Sequence, residues 1–159
     1  MKVIVPVCPV LPAARGGAES PADAAAGARA VIGRQLARWG LRHLADDALL
    51  VMTELLTNAV RHGRPPWRVS VWLTLQEGGR RSVRLEVSDA GPGIDVELVR
   101  ARWRHPSGSL TCGGRGLFIV DVLASSWGDD RDDCGVRGHT MWAELDAEPR
   151  LSGRQAVAG

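Results

Sequence analysis

The chain has 159 residues, enough for one domain with a full-sized core, and its 45% hydrophobic and 24% charged residues are ordinary for a water-soluble globular protein. A formal net charge of +2 makes no electrostatic case for nucleic-acid binding, and three cysteines without a C-x-x-C pair imply neither a disulfide framework nor a zinc site. No apolar run approaches the roughly 20 residues that span a bilayer, and prolines interrupt the opening Met1–Val10 twice, so a reducing cytoplasm without membrane contact is expected.

Residues 1–19 read as an N-terminal segment: a short edge strand over Lys2 to Val5, ended by Pro6, then an Ala- and Gly-rich linker. A domain is expected over 20–147 and a disordered tail over 148–159. Pro21 to Trp39 reads as a helix. Ser20 can cap it, Pro21 suits its first position, and Ala24, Ala28, Val31, Ile32, Leu36 and Trp39 mark one side before Gly40 ends it. After a corner at Leu41–Leu44, Asp46 and Asp47 open a second helix at the positive end of its dipole.

This second helix carries two stripes. Leu49, Met52, Leu55, Leu56, Ala59 and Val60 form an apolar face, and Glu54, Asn58, Arg61 and His62 a polar one. A carboxylate and an amide one turn apart can orient a nucleophile and ligate a hard cation, although such stripes are more often solvated faces. Gly63 stands where the helix should stop.

From Trp67 the period becomes two. Trp67, Val69, Val71, Leu73 and Leu75 alternate with Arg68, Ser70, Trp72 and Thr74, Glu77-Gly78-Gly79-Arg80 turns the chain, and Val83, Leu85 and Val87 return antiparallel. The returning strand ends at Asp89, followed by Ala90-Gly91-Pro92-Gly93. An aspartate there can accept from an exocyclic amine such as that of adenine, or simply make a turn. A short helix is expected within Ile94–Arg104, then a Gly-rich loop from His105 to Gly114. A nearly all-round apolar, buried helix follows over Gly116–Ala124. A glycine loop feeding a helix N-terminus can receive phosphate, and Arg115 adds positive charge. Asp129–Asp133 reads as a solvated turn. Gly138–Leu145 reads as a last strand with Met141, Ala143 and Leu145 on one face.

Read together, these stretches resemble the nucleotide-binding boxes of the GHKL (Bergerat-fold) ATPase and kinase superfamily. Glu54-Leu55-Leu56-Thr57-Asn58 is similar to its N box, Asp89-Ala90-Gly91-Pro92-Gly93 to its first glycine box and Gly114-Arg115-Gly116-Leu117 to its second. Within it, Thr53–Gly63, Ser126-Trp127-Gly128 and Gly138–Leu145 resemble the stand-alone anti-sigma-factor serine/threonine kinases of bacteria. The resemblance implies an α/β, or α+β two-layer, sandwich: a mixed, mainly antiparallel sheet with helices on one face. It also implies ATP and Mg²⁺.

Carried over by residue, Asn58 would ligate Mg²⁺ and Asp89 would bind the adenine amine, supported by Thr140. Gly91 and Gly93 would pass close to the base. Gly114, Arg115, Gly116 and Leu117 would hold the triphosphate, and Glu54 would be the catalytic base. The implied function is an anti-sigma factor that phosphorylates its antagonist. A sigma factor and that antagonist would be its partners, and a homodimer is expected because related domains often pair. Cys112-Gly113 stands where relatives often carry a charged residue, which motivates an alternative: a nucleotide-binding interaction module with little catalysis. A further alternative is the catalytic domain of a two-component histidine kinase.

Overall fold

The computed structural model describes residues 21–75, 77–104, 115–131 and 138–148. Among these residues, four α-helices and four strands run in the order α1 (Pro21–Arg38), α2 (Ala45–His62), β1 (Arg68–Leu75), β2 (Arg81–Asp89), α3 (Val96–Arg104), α4 (Arg115–Leu123), β3 (Ser126–Arg131) and β4 (His139–Asp146). The strands form one sheet in the order β1-β2-β4-β3, and every pairing is antiparallel. The expected two-layer α/β sandwich is therefore observed, with a described sheet that is wholly antiparallel rather than mixed.

The helix limits follow from local chemistry. α1 ends in a Schellman motif: Leu41 N donates to Leu36 O at 2.8 Å and Gly40 N to Ala37 O at 3.2 Å. Gly40 takes φ +71°, a conformation that costs a side chain more than it costs glycine. α2 has Asp46 and Asp47 in its first turn and Arg61 and His62 in its last, both favourable to the dipole. α3 is capped by Asp95, whose Oδ1 accepts from Leu98 N at 2.9 Å.

The core lies between the helices and one face of the sheet. Ile32 and Leu36 of α1 and Val51, Met52 and Leu55 of α2 meet Val69, Val71, Val83, Leu85, Val87, Met141, Ala143 and Leu145 of the strands. Each of the larger side chains contributes about 1.5–3 kcal/mol by leaving water. The period of 2 buries the marked residues of β2 and β4, and the period of 3.6 buries Met52, Leu55, Leu56 and Ala59 of α2, while Leu49 and Val60 are half-buried and Ala48 and Val51 complete the buried face.

The opposite sheet face is polar and half-buried. Arg84 sits over the Trp142 ring at 4.0 Å and pairs with Glu86 at 2.7 Å, Asp130 at 3.0 Å and Glu144 at 3.5 Å. An antiparallel sheet tolerates this asymmetry because alternate side chains face opposite ways.

Two expectations are corrected. α4 is not buried all round: Leu117 and Val120 are inside, while Phe118 and Val122 are 42% and 55% exposed. It packs on α2 by one face only. Asp129 and Asp130 are not in a solvated turn but in strand β3, paired with β4. The strand is too polar to reveal itself by alternation, and its pairing with β4 creates it. Residues 1–19, the His105–Gly114 loop, Asp132, Asp133 and the end of the chain from Pro149 lie outside the described residues. No helix among the described residues is long and apolar enough to cross a membrane.

Replacing Leu55, which has no exposed surface, by alanine is expected to lower unfolding free energy by about 3 kcal/mol. Replacing Leu50, 43% exposed on the same helix, should cost less than about 1 kcal/mol. Urea unfolding monitored by circular dichroism checks both, as a shift in midpoint at constant slope.

Candidate functional site

The polar stripe of α2 faces the first turn of α4 across a cleft of about 150 Å³. Glu54, Thr57, Asn58, Arg61 and His62 form one wall, and Arg115, Gly116 and Leu117 the other. The apolar stripe of α2 fixes this orientation, since burying Leu55 and Ala59 against the sheet leaves Glu54 and Asn58 on the flank. Gly116 is where the Glu54 side chain rests: a Cβ there would overlap Glu54 Oε2. Any other residue would push the acid out of the cleft. Asn58 Nδ2 donates to Met141 Sδ at 2.9 Å, which leaves Oδ1 as the amide atom with which a cation could be held. The lining therefore holds one carboxylate, one amide and three groups that can carry positive charge. At about 150 Å³ it is below the roughly 300 Å³ of the smallest whole-ligand pockets, so it suits phosphate and metal rather than a complete nucleotide.

A second cluster lies where α2 ends against β2. Asp89 Oδ1 accepts from Gly91 N at 2.6 Å and Arg64 N at 3.2 Å, and Ala90 N donates to Arg64 O at 2.8 Å. The carboxylate lies directly on Gly63, where a Cβ would overlap it, and a Cβ on Gly91 would come within 2.8 Å of Gly63 Cα. Gly63 has an ordinary φ of −90°, so close approach is what demands glycine there, not a left-handed helix end.

Asp89 Oδ2 has no hydrogen bond and is buried. It lies 3.5 Å from His139 Nδ1, and His139 Nε2 lies 3.6 Å from Asp129 Oδ1. The three side chains are 1%, 5% and 3% exposed in the order Asp89, His139, Asp129. Asp129 Oδ2 accepts from Ile94 N at 3.3 Å. Burial pushes the Asp129 carboxyl above its ordinary 3.8, while His139 and the Ile94 N–H pull it back.

The profile of the histidine kinase-like ATPase domain family matches residues 18–136. The chain belongs to that family. It is thereby a member of the GHKL superfamily, whose ATPase domains bind ATP, usually with Mg²⁺. No curated protein matches the chain. The residues present fit such a nucleotide. The orphaned Asp89 Oδ2 is the acceptor that an amine requires, and the Asn58 carbonyl and the cationic wall of the cleft suit Mg²⁺ and phosphate.

Among the residues expected from the GHKL resemblance, Glu54, Asn58, Arg115, Gly116 and Leu117 come together in the cleft. Asp89 and Gly91 form the second cluster. Gly93, at φ +79°, lies against Asp129 and His139. Gly114 is outside the described residues. The Thr140 hydroxyl lies 2.8 Å from Ser88 Oγ, on the face away from the helices, and the β4 residue paired with Asp89 is His139. Parity contained this signal, because a strand with Met141, Ala143 and Leu145 facing inward also turns residue 139 inward and 140 outward. The expectation also left Thr57, Gly63, the Arg64 N–H and Asp129 without site roles. For Asp129 no signal was available, since the strand that buries it is not legible as one.

The raised Asp129 carboxyl makes a pH signature. The folded state keeps this proton after the unfolded chain has lost it, so the associated stability is complete below pH 3.8 and is lost as pH rises through the folded value. Asp129→Asn is expected to remove that decline. The stability of the variant relative to the parent should therefore rise with pH from about pH 4 upward, measured by urea unfolding across a pH series.

Proposed function

We propose that the chain is an ATP-dependent regulator of the anti-sigma type that transfers the γ-phosphoryl group to a serine or threonine of a partner protein. The observation that carries this reading is the meeting of Glu54, Asn58, Arg115 and Gly116 around one cleft, with Asn58 five residues before Gly63 and its Asp89 contact. That separation is about 7.5 Å along α2. It supports an arrangement with the base at Asp89 and the phosphates over Asn58.

Asn58 Oδ1 would hold Mg²⁺, whose contribution is charge neutralisation at the phosphates. Arg61, His62 and Arg115 add to that neutralisation. Glu54, seated on Gly116, would take the proton of the incoming hydroxyl. As the hydroxyl oxygen bonds to the γ-phosphorus, the bond between that phosphorus and the β–γ bridging oxygen breaks and ADP leaves. Such a reaction asks little of the protein beyond positioning and electrostatics. A protein hydroxyl as acceptor, with a sigma factor and its antagonist as partners, rests on the likeness of Thr53–Gly63 and Gly138–Leu145 to that kinase type. A cytoplasmic location and pairing of two copies belong to the same proposal.

The test is incubation with Mg²⁺, ATP and co-purified partners, with phosphosites read by mass spectrometry. Asp89→Asn should weaken ATP binding by roughly tenfold or more, because it replaces the acceptor facing the amine. Glu54→Ala should keep binding and lose about 10²–10⁴ in transfer rate. Transfer equal to the parent's in Glu54→Ala overturns the base assignment. Tight binding by the parent without transfer to any partner assigns the chain to a nucleotide-dependent interaction module instead. A phosphohistidine on the partner would assign it to a histidine kinase system.

A further inference from the structure

The row Asp89–His139–Asp129 is built from three strands. Asp89 ends β2, and His139 is its direct cross-strand partner on β4. Asp129 comes from β3, two residues before Arg131, the β3 partner of His139. The imidazole is thus held by the sheet and not by a loop. Three of the facing atoms, Asp89 Oδ2, His139 Nδ1 and Asp129 Oδ1, are buried without a hydrogen-bond partner. Leaving such atoms unsatisfied is costly, and a row of them is rare without a purpose.

Taking as given that Asp89 meets an adenine amine, we propose that His139, held by Asp129, is the positioning residue that aims Asp89 at that amine. It thereby sets the preference for adenine over bases that lack the amine.

The geometry divides the work between the two oxygens of Asp89. Oδ1 is committed to the N–H groups of Gly91 and Arg64. Oδ2 retains two lone pairs, enough for His139 Nδ1–H on one side and an incoming amine on the other. Without a group beside Oδ2, the carboxylate's rotation about its Cβ–Cγ bond would be resisted by the Oδ1 hydrogen bonds and the packing on Gly63, with nothing directing Oδ2. Asp129 fixes the ring from the far side through Nε2, and its other oxygen binds Ile94 N, which ties the loop after Gly91 to the same row. The raised Asp129 carboxyl is consistent with an acid enclosed to serve a neighbour rather than solvent.

The two ring nitrogens can be separated by substitution. In His139→Asn the amide nitrogen takes the place of Nδ1 and still faces Asp89. In His139→Gln it takes the place of Nε2 and faces Asp129 alone. Calorimetry with ATP and with inosine triphosphate, which carries an oxygen in place of the amine, reads the preference directly. His139→Gln and Asp129→Asn are expected to reduce the ATP-over-inosine-triphosphate ratio by about tenfold, with inosine triphosphate affinity changed less than about threefold. His139→Asn, which keeps a nitrogen facing Asp89 but loses the Asp129 contact, should retain more of the ratio than His139→Gln.

A ligand-free readout accompanies these titrations: the ¹⁵N resonances of the His139 ring should move in Asp129→Asn. A parental ratio in His139→Gln overturns the proposal. So does equal loss of both nucleotides in His139→Gln and His139→Asn together with a lowered melting temperature, which marks a packing role. If the parent binds neither nucleotide, the ATP reading fails and takes this one with it. If it binds both equally, Asp89 does not read the amine. Those two failures are visible in the parent alone, before any variant is made.

Discussion

The contact between the Asp89 carboxylate and Gly63 joins the two halves of the site. Gly63 ends α2 and Asp89 ends β2, so the closeness of these residues sets how far the helix lies from the sheet. The N–H groups of Gly91 and Arg64 hold the carboxylate from two sides, and Ala90 N closes the arrangement on Arg64 O. A side chain on Gly63 would lift the helix end and carry Asn58 and Glu54 with it. The position of the cleft and the orientation of the acid are therefore consequences of one close approach.

Two kinds of force maintain that approach. The apolar face of α2 supplies the larger part, because Val51, Met52 and Leu55 lose nearly all contact with water against the sheet. It is non-directional and would tolerate a helix shifted by a fraction of an ångström. Hydrogen bonds to Asp89 supply the direction. They go to a carboxylate, and the bond from Gly91 N, at 2.6 Å, is shorter than a neutral one, while that from Arg64 N is 3.2 Å. The site is thus assembled by burial and aligned by a single ionisable residue.

α4 completes the cleft on weaker terms. It packs by one face on α2 and leaves Phe118 and Val122 in solvent. Trp103 of α3 meets Phe118 edge-on at 5.7 Å and Trp127 at 6.0 Å, while Arg100 lies over Trp127 at 4.7 Å. Trp127 Nε1 in turn donates to Asp121 at 2.7 Å. This aromatic bracket, together with the buried Leu117 and Val120, holds the wall that carries Arg115 and Gly116.

The sequence by itself determined the elements with strong periods: the two long helices, the β1–β2 hairpin, the last strand and the polar stripe of α2 that lines the cleft. Their hydrophobic patterns are local, and burial follows pattern whatever else the chain does. It also located Asp89 at a strand end, because the period-two run stops there. Only the tertiary structure decided which groups surround that aspartate. Ser126–Arg131 is too polar to be a strand alone and becomes one by pairing with β4, which buries Asp129 beside His139. Gly63 looks like a helix stop until Asp89 is brought against it. Thr140 and His139 are adjacent in the chain, yet sheet register sends them to opposite faces. Periodicity records which side of an element is apolar, whereas the meeting of residues 26 to 50 positions apart is decided by packing that no local pattern contains.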